Sequence, residues 1–306
     1  MQKGRDDGEK NRKRPFHAAR GAKRQRTKKE KPIQEGSSQE VLLADVRSLF
    51  AAQKLSDPAN QTSLDKSDGA ESSDIDIPAV NGAERQDLPR PFTEIEVKVV
   101  EISSTGDGLA RHASSNQIYV VPFTAPGDIV KVKVVKHFED QHYSLTDFIS
   151  VVEPSHLRDD TRINCKYFST CSGCQFQMLD YPTQLQHKKT IVEKAYKNFS
   201  LLPPDLVPVI QDTIGSPLQY GYRTKLTPHF DGPPGFVSKA DKQNGAKKSF
   251  DKVPEIGFMQ KGLRKTLDIE DCPIGTDAVR MGMKRERLRV TEELKKYQKG
   301  DRKSVV

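Results

Sequence analysis

The sequence predicts an α+β multidomain protein with three parts: a charged N-terminal region, a small five-stranded β-barrel of the oligonucleotide-binding (OB) type, and an α/β central domain carrying a cysteine cluster. Three observations predict it. Only 34% of the residues are apolar and 30% are charged, so part of the chain cannot contribute to a core. Apolar and polar residues alternate between 90 and 153. Three of the four cysteines lie in one short stretch.

Residues 1–89 are predicted to be disordered because their charge is high and unevenly distributed. Residues 1–31 hold 13 Lys or Arg and four acidic residues, whereas 55–88 hold eight acidic residues and two basic ones. Basic clusters at 13–15 and 23–29 are typical of a nuclear import signal or a nucleic-acid-binding arm, and also of a solvated tail. No apolar run is long enough to cross a bilayer, so we expect no membrane association and a location in the nucleus, the cytoplasm or both.

One amphipathic helix is predicted at 38–55 within this region. Apolar residues recur there at helical spacing, and Ser37 and Glu40 fit a capping box. A helix this short is marginal in isolation. We therefore expect it either to dock on the folded body or on a partner, or to form only transiently.

Residues 90–153 are predicted to form the five-stranded barrel. Alternating segments begin near Glu94, Gln117, Ile129 and Tyr143, and turn sequences TGDG and PGD lie between them. A barrel of this type binds nucleic acid on its surface.

A basic face is predicted on the strand that starts at Ile129, because Val130, Val132 and Val134 fall opposite the lysines. This face and its neighbours are candidates to hold RNA phosphates by charge and bases by stacking. The candidate cations are Arg111, Lys131, Lys133 and Lys136, and the candidate stacking aromatics are Tyr119 and Phe123. The alternative for each lysine is that it only keeps an exposed sheet soluble.

The four cysteines are predicted to bind metal, because clustered cysteines in a chain without a secretory signal are more often ligands than disulfides. Cys165, Cys171 and Cys174 form a C-x5-C-x2-C run, and Cys272 follows far along the chain. A tight triplet with a distant fourth thiolate favours a [4Fe–4S] cluster, whereas zinc sites more often use two C-x2-C hooks. Zinc and free buried thiols are the alternatives.

Residues 154–306 are predicted to form the central α/β domain. A helix is expected at 181–199, and its buried stripe is expected to be Leu185, Ile191, Val192, Ala195 and Phe199. Gln175 and Gln177 are expected to hydrogen-bond cluster sulfurs or loop backbone, or to lie at a helix N-terminus that satisfies its own amides.

Two paired strands are expected at 220–230 and 255–260. The stretch between them, 231–254, is rich in Gly, Pro, Lys and Asp and is predicted to be a flexible insertion. A further helix is expected at 284–297.

Several sequence segments resemble a known family. The segment from Cys165 to Leu179, followed by Tyr181, Gln184 and Lys188, resembles the cluster segment of the RNA 5-methyluridine methyltransferases of the TrmA/RumA type. One departure is Ser172, where the family usually has glycine.

Later motifs agree with this resemblance, which covers about residues 92–300. The runs Tyr222–Lys225, Ile256–Phe258 and Asp271–Ile274 are similar to three motifs that follow the cluster segment in the family. Residues 90–153 resemble a TRAM domain.

The resemblance implies a [4Fe–4S] cluster on the four cysteines and RNA contacts by Arg223 and Lys225. It also implies tRNA as the partner, a T-loop uridine as the target and S-adenosylmethionine as the methyl donor. The family adds a cysteine thiolate to C6 of the uracil before C5 takes the methyl group.

Three features that the resemblance implies for that chemistry are missing from the sequence: a Rossmann-like methyltransferase domain, an Asp-Pro-Pro-Arg-like segment and a further, catalytic cysteine. We therefore expect the front part of such an enzyme, truncated at its C-terminus and inactive alone, with S-adenosylmethionine bound only by a full-length form. The alternatives are a catalytically inactive RNA-binding protein and a zinc-stabilised interaction module that does not bind RNA.

Overall fold

The computed structural model of the protein describes residues 33–56, 88–233 and 250–296. Within these ranges the helices are α1 (Ser38–Ser56), α2 (Tyr181–Phe199) and α3 (Asp277–Lys295). The strands are β1 (Glu94–Ile102), β2 (Gly108–His112), β3 (Ser115–Val121), β4 (Ile129–Phe138), β5 (Tyr143–Glu153), β6 (His229–Phe230), β7 (Ile256–Met259) and β8 (Thr266–Asp268). The two basic clusters, the acidic stretch and most of the predicted insertion lie outside the described residues. None of the helices in these ranges has the length and apolarity needed to cross a membrane.

Strands β1 to β5 form a closed barrel, which confirms the predicted five-stranded barrel. The strand order is β1-β2-β3-β5-β4, and every pair is antiparallel except β3 with β5. Val130, Val132 and Val134 are all buried, as the alternation predicted, and pack inside with Val97 and Val99. Because the sheet closes on itself, none of the five strands of the barrel is an edge strand.

A buried ion pair fixes the turn between β3 and β4. The carboxylate of Asp128 accepts hydrogen bonds from the backbone N–H groups of Ala125 and Ser155, each at 2.8 Å. The guanidinium of Arg158 lies 3.1 Å from the same carboxylate, and both side chains are almost fully buried. The chain that follows the barrel is thereby tied back to it.

Helix α1 packs on the outside of the barrel, so the structure shows docking on the folded body. Its buried residues meet β2, β3 and β5 in one cluster, formed by Leu42, Leu43, Val46, Leu49, Leu109, Ile118, Val120 and Tyr143. The buried carboxylate of Asp45 accepts a hydrogen bond from the N–H of Ser104 at 2.5 Å and lies 3.8 Å from the ammonium of Lys194 on α2. Helix α1 therefore contacts both the barrel and α2.

The barrel and the cysteine loop share a core. Its buried members are Ile102, Phe123 and Ala125 from the barrel side and Phe168, Met178 and Leu179 from the loop side. One polar contact crosses the same boundary, because Gln175 donates to the carbonyl of Thr105 at 3.0 Å. A second ties the barrel to the residues after β7, where the Lys261 ammonium lies 2.8 Å from Asp107.

Helix α2 has the predicted bounds, but the predicted buried stripe is wrong. The Asp180 side chain caps it by accepting a hydrogen bond from the N–H of Thr183. No residue of α2 is fully buried, and Val192, Ala195 and Phe199 are exposed. The stripe fails because no described element of the chain covers that part of the helix.

The strand predicted at 220–230 is also largely wrong. Only His229 and Phe230 are in β6, which pairs antiparallel with β7 as expected. Upstream, Arg223 makes a single isolated bridge to Gly275. Pro228 has no N–H to donate to a ladder, which helps to explain why the strand is so short.

Two further elements differ from the sequence-based expectations. Strand β8 was not predicted, and it completes a three-stranded sheet of order β6-β7-β8. Helix α3 begins at Asp277 and not at Lys284, because Thr276 caps its N-terminus by accepting a hydrogen bond from the N–H of Val279.

Candidate cysteine site and nucleic-acid surface

The loop that carries three cysteines is a series of tight turns. The N–H of Phe168 donates to the carbonyl of Cys165 at 3.0 Å, and the N–H of Cys171 donates to the carbonyl of Tyr167 at 2.9 Å. Between them Ser169 has a φ of 65°, the left-handed conformation that reverses the chain. The first and second cysteines are thereby brought to the same side of the loop.

The β7 end of the small sheet holds this loop in place. Cys171 forms an isolated antiparallel bridge with Gln260. The N–H of Ser172 donates to the carbonyl of Met259 at 3.0 Å, and the N–H of Lys261 donates to the carbonyl of Thr170 at 2.9 Å. These bonds fix the loop on the sheet whose last strand leads to the fourth cysteine.

Cys272 lies in the turn between β8 and α3. Its carbonyl accepts a hydrogen bond from the N–H of Gly275 at 3.0 Å, and its own N–H donates to the Asp271 side chain at 2.9 Å. A Cβ on Gly275 would lie 3.0 Å from the side chain of Leu226, so a larger residue there would require that side chain to shift. Asp271 is in turn held by the guanidinium of Arg280 at 2.6 Å.

All four cysteines line one cavity of about 300 Å³. Each of them is half-buried, and much of the remaining wall is apolar. Burial raises the pKa of the Cys165, Cys171 and Cys272 thiols, and the neighbouring Cys174 raises the pKa of each of them further. The structure thus brings together the four residues that the sequence singled out.

Shared lining is not the same as metal coordination. Among the described residues, no group of three or more His, Cys, Asp or Glu side chains is arranged to hold a metal ion. The iron–sulfur cluster and its zinc alternative therefore stay predictions. What the structure does offer is a donor set of four sulfur atoms around one space, which is the chemistry that soft metals and iron–sulfur clusters select.

The two glutamines after the cysteine loop contact loop backbone. Gln175 donates to the carbonyl of Thr105 in the barrel, and the Gln177 side-chain oxygen accepts from the N–H of Asn164 at 3.1 Å. Neither lies at the N-terminus of a helix. Their role in this structure is to fasten the cysteine loop to its surroundings.

Arg223 and Lys225 are both exposed, and Arg223 also lines the cysteine cavity. The Arg223 N–H donates to the carbonyl of Ile274 at 2.8 Å, and its side chain donates to the carbonyl of Lys225 at 3.0 Å. A positive charge is therefore positioned at the opening of the cavity.

The barrel cations are less free than the sequence suggested. The Lys131 ammonium lies 2.7 Å from the Glu94 carboxylate, and this hydrogen bond raises the pKa of Lys131 and lowers that of Glu94. Lys136 lies 3.9 Å from the centre of the Phe138 ring. Arg111 is half-exposed on β2 opposite Lys98 of β1.

The predicted stacking aromatics are wrong, because the structure buries both. Tyr119 lies inside the barrel, and Phe123 belongs to the core shared with the cysteine loop.

Phe92, which the sequence reasoning missed, is 69% exposed, and its ring centre lies 5.7 Å from the Lys133 ammonium. It is held at a φ of 71° while its N–H donates to Val134 at 2.7 Å. The only sequence signal is an aromatic residue just outside the alternating pattern.

An open groove of about 570 Å³ lies beside the cysteine site and was also missed. Lys166 and Tyr167 form part of its wall, with the ammonium 4.9 Å from the ring centre and 2.8 Å from Glu270. Arg280 and Asp271 line it as well. The sequence signal that could have indicated this groove is that its residues lie close to the cysteines along the chain.

Comparison with known protein families gives one match to a domain. The TRAM domain family matches residues 90–138, which include most of the barrel. This confirms the TRAM resemblance.

Comparison with individual proteins gives relatives along most of the chain. It is 43% identical over 260 residues to the tRNA (uracil(54)-C(5))-methyltransferase of Schizosaccharomyces pombe, a match that covers 85% of this chain and 41% of the relative. It is 38% identical over 224 residues to the Saccharomyces cerevisiae protein of the same name, covering 67% of this chain and 33% of that relative.

An uncharacterized RNA methyltransferase of Synechocystis is 30% identical over 191 residues, covering 61% of this chain and 35% of the relative. The chain thus spans well under half the length of the curated relatives it matches. With the TRAM domain and these two yeast relatives together, the chain belongs to the RNA 5-methyluridine methyltransferase family.

Proposed function

We propose that this chain is the RNA-recognising and iron–sulfur-bearing portion of a tRNA (uracil-5-)-methyltransferase, which makes 5-methyluridine in the T-loop with S-adenosylmethionine. The observation that carries the proposal is the 43% identity over 260 residues to a yeast protein named for methylation of uracil 54. The fold agrees with it, since a barrel of this type is a common platform for nucleic acid.

In this proposal Cys165, Cys171, Cys174 and Cys272 hold a [4Fe–4S] cluster. The four sulfurs already line one cavity, and Asp271 and Gly275 fix the turn that presents the last of them. When bound, the cluster supplies four metal–sulfur bonds that join the cysteine loop to the turn before α3. The protein around it contributes a mostly apolar wall and the backbone bonds that orient the loop.

The RNA surface in this proposal follows the positive charges that the structure leaves accessible. Lys133 and Phe92 together offer a cation beside an exposed ring, which suits one phosphate and one stacked base. Arg223 and Lys225 offer a second pair of cations at the cysteine cavity. Lys131 contributes less because Glu94 neutralises it.

The methyl-transfer step itself is assigned to a longer form of the protein. The chemistry needs a thiolate that is free to add to the uracil ring. All four cysteines of this chain line the same cavity. The nucleophile and the S-adenosylmethionine site therefore have to come from sequence that the relatives have beyond the matched part.

Metal analysis tests the cluster. The chain is purified without oxygen and assayed for iron, sulfide and zinc, and we expect about four irons and four sulfides per chain. The Cys174→Ser variant should lose most of this metal, whereas Ser172→Ala, a change between two ligands, should keep it. One zinc and no iron would contradict the cluster and favour the zinc-stabilised module.

RNA-binding and methyl-transfer assays test the other two parts of the proposal, RNA recognition and the assignment of catalysis to a longer form. Fluorescence anisotropy with a tRNA T-arm should show affinity that falls steeply with salt. Phe92→Ala should weaken it about tenfold, because base–aromatic stacking is lost. Phe230→Ala removes another exposed ring and should have no effect. Methyl transfer by the 306-residue chain alone would contradict the assignment of catalysis to a longer form, and a salt-independent or absent affinity would contradict RNA recognition.

A further inference from the structure

Helix α2 and the segment that follows it expose an unusual amount of apolar surface. Leu201 and Ile214 are essentially fully exposed, and Val209 is 84% exposed. Phe199 and Leu206 on the same run are also exposed. We call the surface formed by residues 199–218 the apolar face. So many highly exposed apolar side chains along one short segment are unusual on a soluble protein unless another molecule or domain covers them.

Part of the backbone of the apolar face also makes no backbone–backbone hydrogen bonds among the described residues. No N–H or C=O group of residues 208–220 pairs with another backbone group within the described chain. The segment is nevertheless held along α2, because Ser216 donates its N–H to the hydroxyl of Tyr181 at 2.6 Å and Asp212 lies 2.9 Å from Lys189. An anchored segment whose backbone groups are largely unpaired within the described residues can pair with a strand from another polypeptide.

The comparisons indicate what covers this face. A match that covers 260 of the 306 residues of this chain has to include residues 199–218. The apolar face therefore belongs to the part shared with the fission-yeast relative, and that match covers only 41% of the relative. The relative has more than half of its length available to pack against this face.

We propose that the apolar face is the docking surface for the part of the family's polypeptide that lies outside the matched region, with which it forms apolar contacts and backbone pairing. The proposal depends on the proposed function only for the identity of the partner. It involves neither RNA binding nor the metal site.

Hydrogen exchange on a chimera tests the proposal. This chain replaces the matched portion of the fission-yeast relative, so the partner is supplied in its natural covalent setting. Backbone amides of 209–215, which make no hydrogen bond among the described residues, should exchange at nearly unprotected rates in the chain alone and at least about tenfold more slowly in the chimera. Slow exchange in the monomeric chain, or no added protection in a chimera that folds, overturns the proposal.

Matched variants identify the contact surface. Changing Leu201, Val209 and Ile214 together to Ser should remove the added protection in the chimera and leave the circular dichroism of the chain alone unchanged. Changing Met281 and Leu288 of α3 to Ser removes similarly exposed apolar side chains and should leave the protection intact. Loss of protection with the α3 variant only would place the interface elsewhere.

Two further readouts separate the outcomes. Sedimentation of the chain alone reports self-association, and a dimer that the triple variant dissolves would assign the face to a second copy and overturn the proposal. A chimera that shows the protection but neither binds tRNA nor transfers methyl groups would refute the proposed function and leave the docking surface standing.

Discussion

The barrel and the apolar face use similar residues in opposite ways. Valines of the barrel interior such as Val132 have no exposed surface, whereas Val209 is 84% exposed although its side chain is the same. The barrel closes on itself and pairs all five of its strands in one ring. Residues 208–220 form no backbone pairs within the described chain. The difference shows that an apolar sequence guarantees burial only where the chain itself supplies the covering surface.

The largest effect is expected where the barrel closes. Asp128→Ala removes the acceptor of two backbone N–H groups and leaves the buried Arg158 guanidinium with only the exposed Asp160 carboxylate and the Phe123 carbonyl as partners. Loss of one member of a buried pair costs about 3–5 kcal/mol. Urea unfolding monitored by circular dichroism should show this loss, and Asp128→Asn should recover part of it. A change under 1 kcal/mol would show that the barrel does not depend on this turn.

Substitution to Ala should cost less free energy of unfolding inside the barrel than at Asp128, and almost none on the apolar face. Val132→Ala should lower the free energy of unfolding by about 2 kcal/mol, because it removes buried methyl groups and leaves a cavity. Ile214→Ala removes more carbon from a side chain that is 96% exposed, so it should change stability little in the chain alone. Both are measured by the same urea titration. Equal losses would contradict the contrast between the two regions.

A pH-dependent effect is expected at α2, which borders both regions. Burial lowers the pKa of His187, and the nearby Lys194 lowers it further. The unfolded chain takes up a proton near pH 6.5, while the folded chain resists it, so this histidine makes stability fall as the pH drops below about 6.5 towards its folded pKa. His187→Phe should flatten this part of the profile of unfolding free energy against pH. His156→Phe makes the same substitution at an exposed histidine and is the matched control.

The smallest effect is expected on the outer face of the barrel. Glu94→Gln removes the carboxylate that pairs with Lys131. It should not change stability measurably, because the pair is exposed. It should strengthen tRNA binding a few-fold and steepen the salt dependence by about one released ion, since one more lysine can meet a phosphate. Unchanged affinity would indicate that RNA does not contact this part of β4.

The sequence predicted the barrel well because the local pattern and the tertiary environment coincide there. Alternation in Ile129–Val135 has a period of two, and closure buries one complete face of β4. The four cysteines were also identified correctly as residues that lie together, because their number and spacing indicated one group and the family resemblance agreed with it. Neither the spacing nor the resemblance determines the separations of the sulfurs.

Other predictions failed because they assumed which surface of an element another part of the chain would cover. The stripe on α2 has helical spacing, but Val192 and Phe199 find no described neighbour to bury them. Tyr119 was expected to face RNA because it is aromatic and lies on a strand, yet its position on β3 points into the barrel. A two-residue period identifies faces and does not say which face is the inner one when both carry apolar residues.

The core shared by the barrel and the cysteine loop affects how this protein can be divided. A fragment that ends at Glu153 would keep every strand of the barrel and yet lose the loop side of that core. Phe123 would then face water, and Asp128 would lose Arg158. The barrel is therefore not an interchangeable module in this chain. A transfer of the barrel to another protein has to include the residues as far as Leu179. A cut at the end of β5 would expose the apolar residues of the shared core and give a destabilised, aggregation-prone fragment.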